Sequence, residues 1–309
     1  MPGKKTADLR ENGQGTLEKF IKNTVRESQE NRLSLIDGSP IFEEPLVGVA
    51  DGDDPLFTEY KKIIGPFHFT PREMLERSLA LTGGVRRDIK DISVICWALP
   101  IAKRTQVTNA HRDEWPSLRW AHTRYYGEKF NESLRQQLVS LLTGQGHLAV
   151  APMLSPLWKL LPNYPGGPTS NWSERHALYV AGMGSFGLSD GFITTKGVAM
   201  RCGSVITNMK LPATPRLCVS HTDNCLFYIN RSCGVCIDRC PAGAITAKGH
   251  NKVQCFDYAH KHLEHLYKRY AVENFGCGLC QTGVPCESGI PAKAKRKNYP
   301  DRKADNVRL

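Results

Sequence analysis

The chain lacks the marks of an exported or membrane-bound protein. Residues 1–15 hold no apolar segment for secretion and no twin arginine. No apolar run anywhere is long enough to span a bilayer. The expectation is a cytoplasmic protein with no membrane partner, in a reducing compartment where a disulfide framework is disfavoured. There is no internal repeat outside two cysteine half-motifs and no low-complexity tract, so neither a stacked-repeat array nor a compositionally disordered stretch is expected.

At 309 residues the chain can hold one large domain, or a large and a small one, and 40% hydrophobic content suits a globular protein. The net charge is +11, and part of it is terminal: residues 289–309 carry seven Lys/Arg against two Asp. A solvated basic tail explains this, and attraction to an anionic partner such as RNA, a nucleotide or an acidic electron donor is the alternative. Lys and Arg near thiolate clusters can also balance their charge.

Eight of the eleven cysteines fall between Cys225 and Cys286. Cys233 and Cys236 form a C-x2-C pair, Cys240 follows and precedes Pro241, then come Cys255, the pair Cys277 and Cys280, and Cys286. Four cysteine thiolates hold each 4Fe–4S cluster, and the cysteine before proline serves the other cluster in two-cluster ferredoxins. The spacing therefore predicts one cluster on Cys225, Cys233, Cys236 and Cys286, and a second on Cys240, Cys255, Cys277 and Cys280. Asn230 occupies the slot where the first cysteine of the motif is usual, and Cys225 is its substitute, with Cys218 the weaker candidate. Zinc on the two C-x2-C pairs is an alternative, but it leaves Cys225, Cys240, Cys255 and Cys286 unexplained. Cys96 and Cys202 lie in apolar runs and read as inert buried thiols.

The remaining pattern divides the chain into a helical arm over 1–45, an α/β domain over 46–220, a cysteine domain over 221–292 and a basic tail over 293–309. A helix is expected to begin near Leu17 and end by Gly38. Another starts at Thr70-Pro71 with Glu73 closing a capping box, and stops at Gly83-Gly84. The β-branched run over 92–99 predicts a buried strand, 117–142 one or two helices, and 147–151 a second strand. Strand, helix and strand in that order suggest a parallel crossover. Ser173 caps a helix to about Ala181, and strands follow near 190–195 and 203–208.

Between them lies Gly182-x-Gly184-x-x-Gly187, with Met183 and Ser185 inside it. The string matches the dinucleotide fingerprint, but that motif follows a strand and opens a helix, and here the order is reversed. The glycines either let the backbone approach something flat and bulky or make a tight turn.

The cysteine layout, the stretch Ala181 to Gly187, the segment entering it from Ser170 to His176, and Cys277-Gly278-Leu279-Cys280 together resemble the epoxyqueuosine reductases and the corrinoid-dependent reductive dehalogenases. The resemblance spans roughly residues 90–290. It implies an α/β (α+β) fold: a nitroreductase-like, cobalamin-binding domain followed by a ferredoxin-like domain with two 4Fe–4S clusters. It places the cobalamin at Gly182, Met183, Gly184, Ser185 and Gly187. The reductases use an aspartate as proton donor near the start of a long helix, and this chain has none between Asp113 and Asp190, with Lys129 near the expected place. The dehalogenases use a tyrosine helped by a cation, which nominates Tyr125 and Tyr126 with Lys129 and Arg124 beside them. A nearby cation favours a phenolate. His111, His122, His147 and His176 are structural by default, since the family's corrin needs no protein ligand. The tryptophans, Trp97, Trp115, Trp120, Trp158 and Trp172, read as core or pocket wall.

The expected activity is an oxygen-sensitive oxidoreductase. Electrons from a low-potential donor such as ferredoxin or flavodoxin would pass through the clusters to a cobalamin that reduces a small organic or nucleoside substrate. The alternatives are a corrin-free electron-transfer or redox-sensing protein, and a tRNA-modifying enzyme. The chain lacks the C-terminal helical repeats that many epoxyqueuosine reductases use on tRNA, so tRNA is not favoured.

Overall fold

The computed structural model describes residues 13–81 and 89–294. The expected helix stop at Gly83-Gly84 and nearly all of the basic tail lie outside them. The elements run α1 (Gly13–Glu27), β1 (Leu46–Asp51), α2 (Pro55–Ile63), α3 (Pro71–Leu81), β2 (Ser93–Pro100), α4 (Lys103–Ala110), α5 (Leu118–Gly144) and β3 (Ala149–Val150). They continue with the two-residue strands β4 (Leu160–Leu161) and β5 (Thr169–Ser170), then α6 (Glu174–Val180), β6 (Gly184–Phe186), β7 (Phe192–Thr194) and β8 (Met200–Thr207). The cysteine region holds α7 (Leu226–Asn230), α8 (Val235–Asp238), β9 (Ile245–Thr246), β10 (Gly249–His250), α9 (Lys252–Asp257) and α10 (His265–Tyr270). The fold class is mixed helix and strand, as the sequence predicts.

A four-stranded sheet in the order β1-β2-β8-β3 divides the main body into two layers. Strand β2 is buried along its whole length, and its side chains alternate between two cores. Ile95, Trp97 and Leu99 face the first core with Leu17 and Ile21 of α1 and Phe130 and Leu134 of α5. Val94, Cys96 and Ala98 face the second with Phe57, Met74, Trp172 and Leu178. Burying each such large apolar side chain contributes about 1.5–3 kcal/mol. The sequence pattern sets residues 1–45 apart as an arm, yet Leu17, Ile21 and Val25 of α1 repeat every four residues and are all buried in the first core.

The crossover is parallel, as expected, and passes over one strand. Strands β2 and β3 both pair antiparallel to β8, so they run parallel to each other with β8 between them. Strand β8 arrives about fifty residues after β3, a long-range insertion that local pattern cannot reveal. The helix starts are local and are found where expected. Glu73 N donates to Thr70 Oγ1 at 3.2 Å while Thr70 N donates to Glu73 Oε2 at 2.9 Å, the reciprocal capping box. The Ser117 hydroxyl accepts from Trp120 N at 3.1 Å and starts α5.

After β8 the chain gives way to short elements that dock back onto the α5 layer. Trp120 Nε1 donates to Gly276 O at 3.0 Å, and Tyr270 OH donates to Pro116 O at 3.1 Å. Val198 N donates to Cys286 O at 2.9 Å. The sheet body and the cysteine region therefore share backbone hydrogen bonds.

Candidate iron–sulfur region and the crevice beside it

Four of the eight cysteines share one cavity, and the other four are electrostatic neighbours of one another. Cys225 opens α7, Cys236 sits in α8, and these two with Cys233 and Cys286 line one apolar cavity closed by Ile193, Leu226 and Val284. Burial pushes the Cys236 and Cys286 thiols up to about 12, and the charges that next oppose their ionisation are those of Cys225 and Cys233, joined by Cys236 for Cys286. Cys255, on α9, is pushed up to about 12 by burial and then by Cys277 and Cys240. Cys280 is pushed far up by burial, then by Cys277, Cys255 and Cys240. Cys218 belongs to neither group; it is buried in the second core. All the cysteines are free of disulfides. Among the described residues no three Cys, His, Asp or Glu side chains converge closely enough to hold a single metal ion.

The turns that present these thiols have local causes. Between Cys277 and Cys280, Gly278 has φ +60, and a Cβ there would lie 1.9 Å from the Trp120 ring. Only glycine fits that conformation and that contact together. The backbone amides of Leu279 and Gly278 donate to the Cys277 sulfur, partly offsetting the effect of burial on its ionisation. Such donors favour a thiolate.

Tyr125, Tyr126 and Lys129 do come together. The two rings meet edge-on at 5.0 Å, and the Lys129 ammonium lies 4.3 Å from the Tyr125 ring centre and 5.8 Å from that of Tyr126. Lys129 is exposed, and a hydrogen bond with Tyr125 holds its pKa above the usual lysine value. Tyr126 and Lys129 border an open groove of about 380 Å³ shared with His122 and residues 29–35. That volume is in the range of small-molecule pockets. Both tyrosines also pack against the apolar cluster of Leu266, Tyr270 and Phe275, which Cys277 borders too.

The five residues expected to hold cobalamin do not form an open cradle. Gly182 has φ +69, and a Cβ there would lie 2.5 Å from Pro215 O; at Gly184 it would lie 2.2 Å from Ile193 O. The hydroxyl of Ser185 is fully buried and accepts from Asn224 N at 2.8 Å. Met183 packs on Gly48, and Gly187 faces Ile193. The space that the missing side chains leave is filled by this chain's own backbone, so these residues do not fit a bound corrin. Gly182→Ala is expected to cost about 1–3 kcal/mol from the left-handed conformation and the backbone clash. Thermal unfolding would show a lower Tm with the iron-binding capacity unchanged.

A set of charges that spacing alone does not single out lies on the inner face of α5. Arg124, Glu128 and Arg135 are four and seven residues apart, on one helical stripe. Glu128 pairs with Arg201 of β8 and, at 2.9 Å, with Arg135. Arg135 also meets Glu174 at 3.2 Å and donates to Cys202 O. Cys202 reads in the sequence as a sealed thiol, but it is partly accessible at this crevice. Burial lowers the pKa of Arg124 to about 10, and its electrostatic neighbours include Cys202, Arg175, Cys277 and Cys280. The crevice thus adjoins the second cysteine group. The signal in the sequence is this charged stripe within a helix whose other buried positions include Trp120, Phe130, Leu134 and Leu138.

The histidines are tied to the scaffold where contacts exist. His122 Nε2 bonds to Tyr270 O at 2.7 Å, and His176 Nδ1 meets Ser173 Oγ at 2.7 Å, with burial lowering the pKa of His176 to about 3. Trp97, Trp120 and Trp172 each donate an indole N–H to the scaffold and serve as wall and core.

No protein-family model matches the chain, and no curated protein matches it in sequence. Solved structures do. An epoxyqueuosine reductase from Bacillus subtilis aligns over 81% of this chain and 63% of its own, with 17% identity and a TM-score of 0.42. A selenomethionine-labelled epoxyqueuosine reductase aligns over 90% of this chain and 66% of its own, with 16% identity and a TM-score of 0.44. A catabolic reductive dehalogenase aligns over 96% of this chain but 35% of its own, with 14% identity and a TM-score of 0.50. The chain therefore spans just under two thirds of the reductases and about a third of the dehalogenase. What these matches establish is a fold shared with the dehalogenase across nearly the whole of this chain.

Proposed function

We propose that this chain is an iron–sulfur oxidoreductase of the epoxyqueuosine reductase and reductive dehalogenase kind. The observation that carries the reading is the convergence of Cys225, Cys233, Cys236 and Cys286 on one apolar cavity. Cys225, Cys233, Cys236 and Cys286 would hold one 4Fe–4S cluster; Cys240, Cys255, Cys277 and Cys280 would hold the other. When bound, each cluster supplies one-electron transfer. The protein's own part is to bury the thiols, to donate the Gly278 and Leu279 amides to the Cys277 sulfur, and to set arginines beside the second group. Electrons from a donor such as ferredoxin or flavodoxin would leave through the second group toward the Arg124 crevice, where a small-molecule or nucleoside substrate would be reduced. Tyr125 or Tyr126 is the proposed proton donor, because Lys129 lies over both rings, nearer to that of Tyr125.

A corrin-free electron-transfer protein is the second reading, favoured by the closed glycine turn. The proposed route has no cobalamin step, because the chain's own backbone fills the space beside the residues expected to hold it. The test is anaerobic reconstitution with iron and sulfide, incubation with cobalamin, desalting and metal analysis. The cluster reading expects about eight irons per chain. One retained cobalt restores the corrinoid at another site, and cobalt lost on desalting selects the corrin-free reading. Salt-sensitive binding of tRNA would bring back a tRNA substrate.

A further inference from the structure

Helix α5 carries a second feature of ligand size, on the face opposite Arg124, Glu128 and Arg135. His122, Tyr126 and Lys129 follow one another there at four and three residues, on one stripe. They form one side of the groove of about 380 Å³, and residues 29–35 form the other. That other side is fixed in place. The Asn31 side chain, 4% exposed, donates to Val25 O at 2.8 Å and Phe42 O at 3.1 Å, and accepts from Phe42 N at 2.9 Å. A few residues on, Arg119 of α5 donates to Asp37 Oδ1 at 3.1 Å and to Ser39 Oγ at 3.0 Å. The groove is therefore built into the scaffold, as small-molecule sites usually are.

His122 lines this groove and is 4% exposed. Its Nε2 meets Tyr270 O at 2.7 Å, and a carbonyl oxygen only accepts, so Nε2 carries the proton. Nδ1 of the neutral ring is then an acceptor, and it is buried with no partner among the described residues. Tyr270 lies outside the groove lining, so Nδ1, on the other side of the ring, is the nitrogen left for an occupant. A buried acceptor without a donor is costly, and nothing in the surrounding chain supplies one.

The rest of the lining matches a nucleotide part by part. Tyr126 and the buried Phe130 offer ring faces, and Leu35, 68% exposed, offers an uncovered apolar one. Stacking on an aromatic side chain accepts any base. The common bases all carry an N–H that His122 Nδ1 can accept. Gln29 and Ser34 bring an amide and a hydroxyl that suit ribose. Arg32 and Lys129 are the cations of the lining, against the single carboxylate of Glu30. Neither cation is in an ion pair among the described residues. A guanidinium and an ammonium together suit a phosphate dianion. We propose that the groove binds a free nucleoside monophosphate, its base against Tyr126 and donating to His122 Nδ1, its phosphate at Arg32 and Lys129. The site goes beyond the reductase reading and asks nothing of the clusters.

The test is calorimetric titration of the full-length, anaerobically reconstituted protein with the four common nucleoside monophosphates, their nucleosides and ribose 5-phosphate. At least one nucleotide should bind about tenfold more tightly than its own nucleoside, as charge-assisted hydrogen bonds to the phosphate require. The same nucleotide should bind about tenfold more tightly than ribose 5-phosphate, as base stacking requires. Lys129→Gln should erase most of the advantage over the nucleoside, and its exposed position leaves the fold undisturbed. His122→Phe should weaken nucleotide and nucleoside alike while ribose 5-phosphate binds as before. No nucleotide preferred in both comparisons would overturn the proposal, and so would either variant binding like the wild type. An RNA oligonucleotide that binds where no mononucleotide does would also overturn it, and would make the groove part of an RNA-binding surface. Iron content of the same samples reports on the cluster assignment separately, and thermal unfolding shows whether His122→Phe folds; if it does not, the wild-type comparisons and Lys129→Gln decide.

Discussion

Cys240→Ala empties one half of the cysteine region and leaves the other half loaded. Iron in the reconstituted variant falls from about eight to about four per chain, and the signal that disappears is that of the cluster on Cys277 and Cys280. The reason is geometric. Cys240 lies four residues after Cys236, just past the single turn of α8, so its thiol is carried out of the cavity that Cys233 and Cys236 line. It is instead a direct electrostatic neighbour of Cys255, Cys277 and Cys280. For Cys236, by contrast, Cys225 and Cys233 act before Cys240 does. Cys236→Ala therefore gives the complementary loss. Electron paramagnetic resonance of the reduced variants reads the difference, and loss confined to the Cys233 and Cys236 cluster in Cys240→Ala would overturn the partition.

Arg135→Met produces the largest loss of stability expected from a single charge. The side chain is 1% exposed and joins Glu128 on its own helix to Glu174 on α6 and to the Cys202 carbonyl of β8. Methionine fills much of the volume but leaves Glu174 with only the Ser204 hydroxyl. Breaking a buried pair from one side costs about 3–5 kcal/mol, because a charge is left without compensation. For a chain of this size that is a fall in Tm on the order of 10 °C. The exposed pair of Arg26 and Glu27, both about two thirds accessible, is the control, and its removal should change Tm little. If Arg135→Met melts with the wild type, the charge stripe of α5 does not hold the two layers together. If Glu174→Gln added to Arg135→Met restores part of the loss, the uncompensated carboxylate is its cause.

The sequence is most informative where the physics is local. The capping box at Thr70, the start of α5 at Ser117, and the helix-turn-strand order around Gly182 depend on residues within a few positions of one another. The C-x2-C spacings and the proline after Cys240 are local signals of the same kind, and they place Cys233 and Cys236 on one turn beside Cys225 and Cys286. Other features depend on distant segments. Strand β8 enters between β2 and β3 from far along the chain, so the parallel crossover joins strands that are not neighbours. The glycines at 182 and 184 read equally well as a cradle or a turn until Pro215 and Ile193 are seen to fill their free sides. Helix α1 reads as part of an arm in the sequence because its burial is decided by partners elsewhere. The Arg124 crevice needs α5, β8 and the loop before Cys277 at once, and no single window of sequence contains all three.

The central claim is that eight thiols hold two 4Fe–4S clusters. The most direct measurement is iron, zinc and acid-labile sulfide per chain in anaerobically purified and reconstituted protein, with the spectrum recorded before and after reduction. The account predicts about eight irons and eight sulfides, negligible zinc, and a visible absorption that bleaches on reduction. One or two tightly held zinc ions, with neither iron nor sulfide retained, would contradict it.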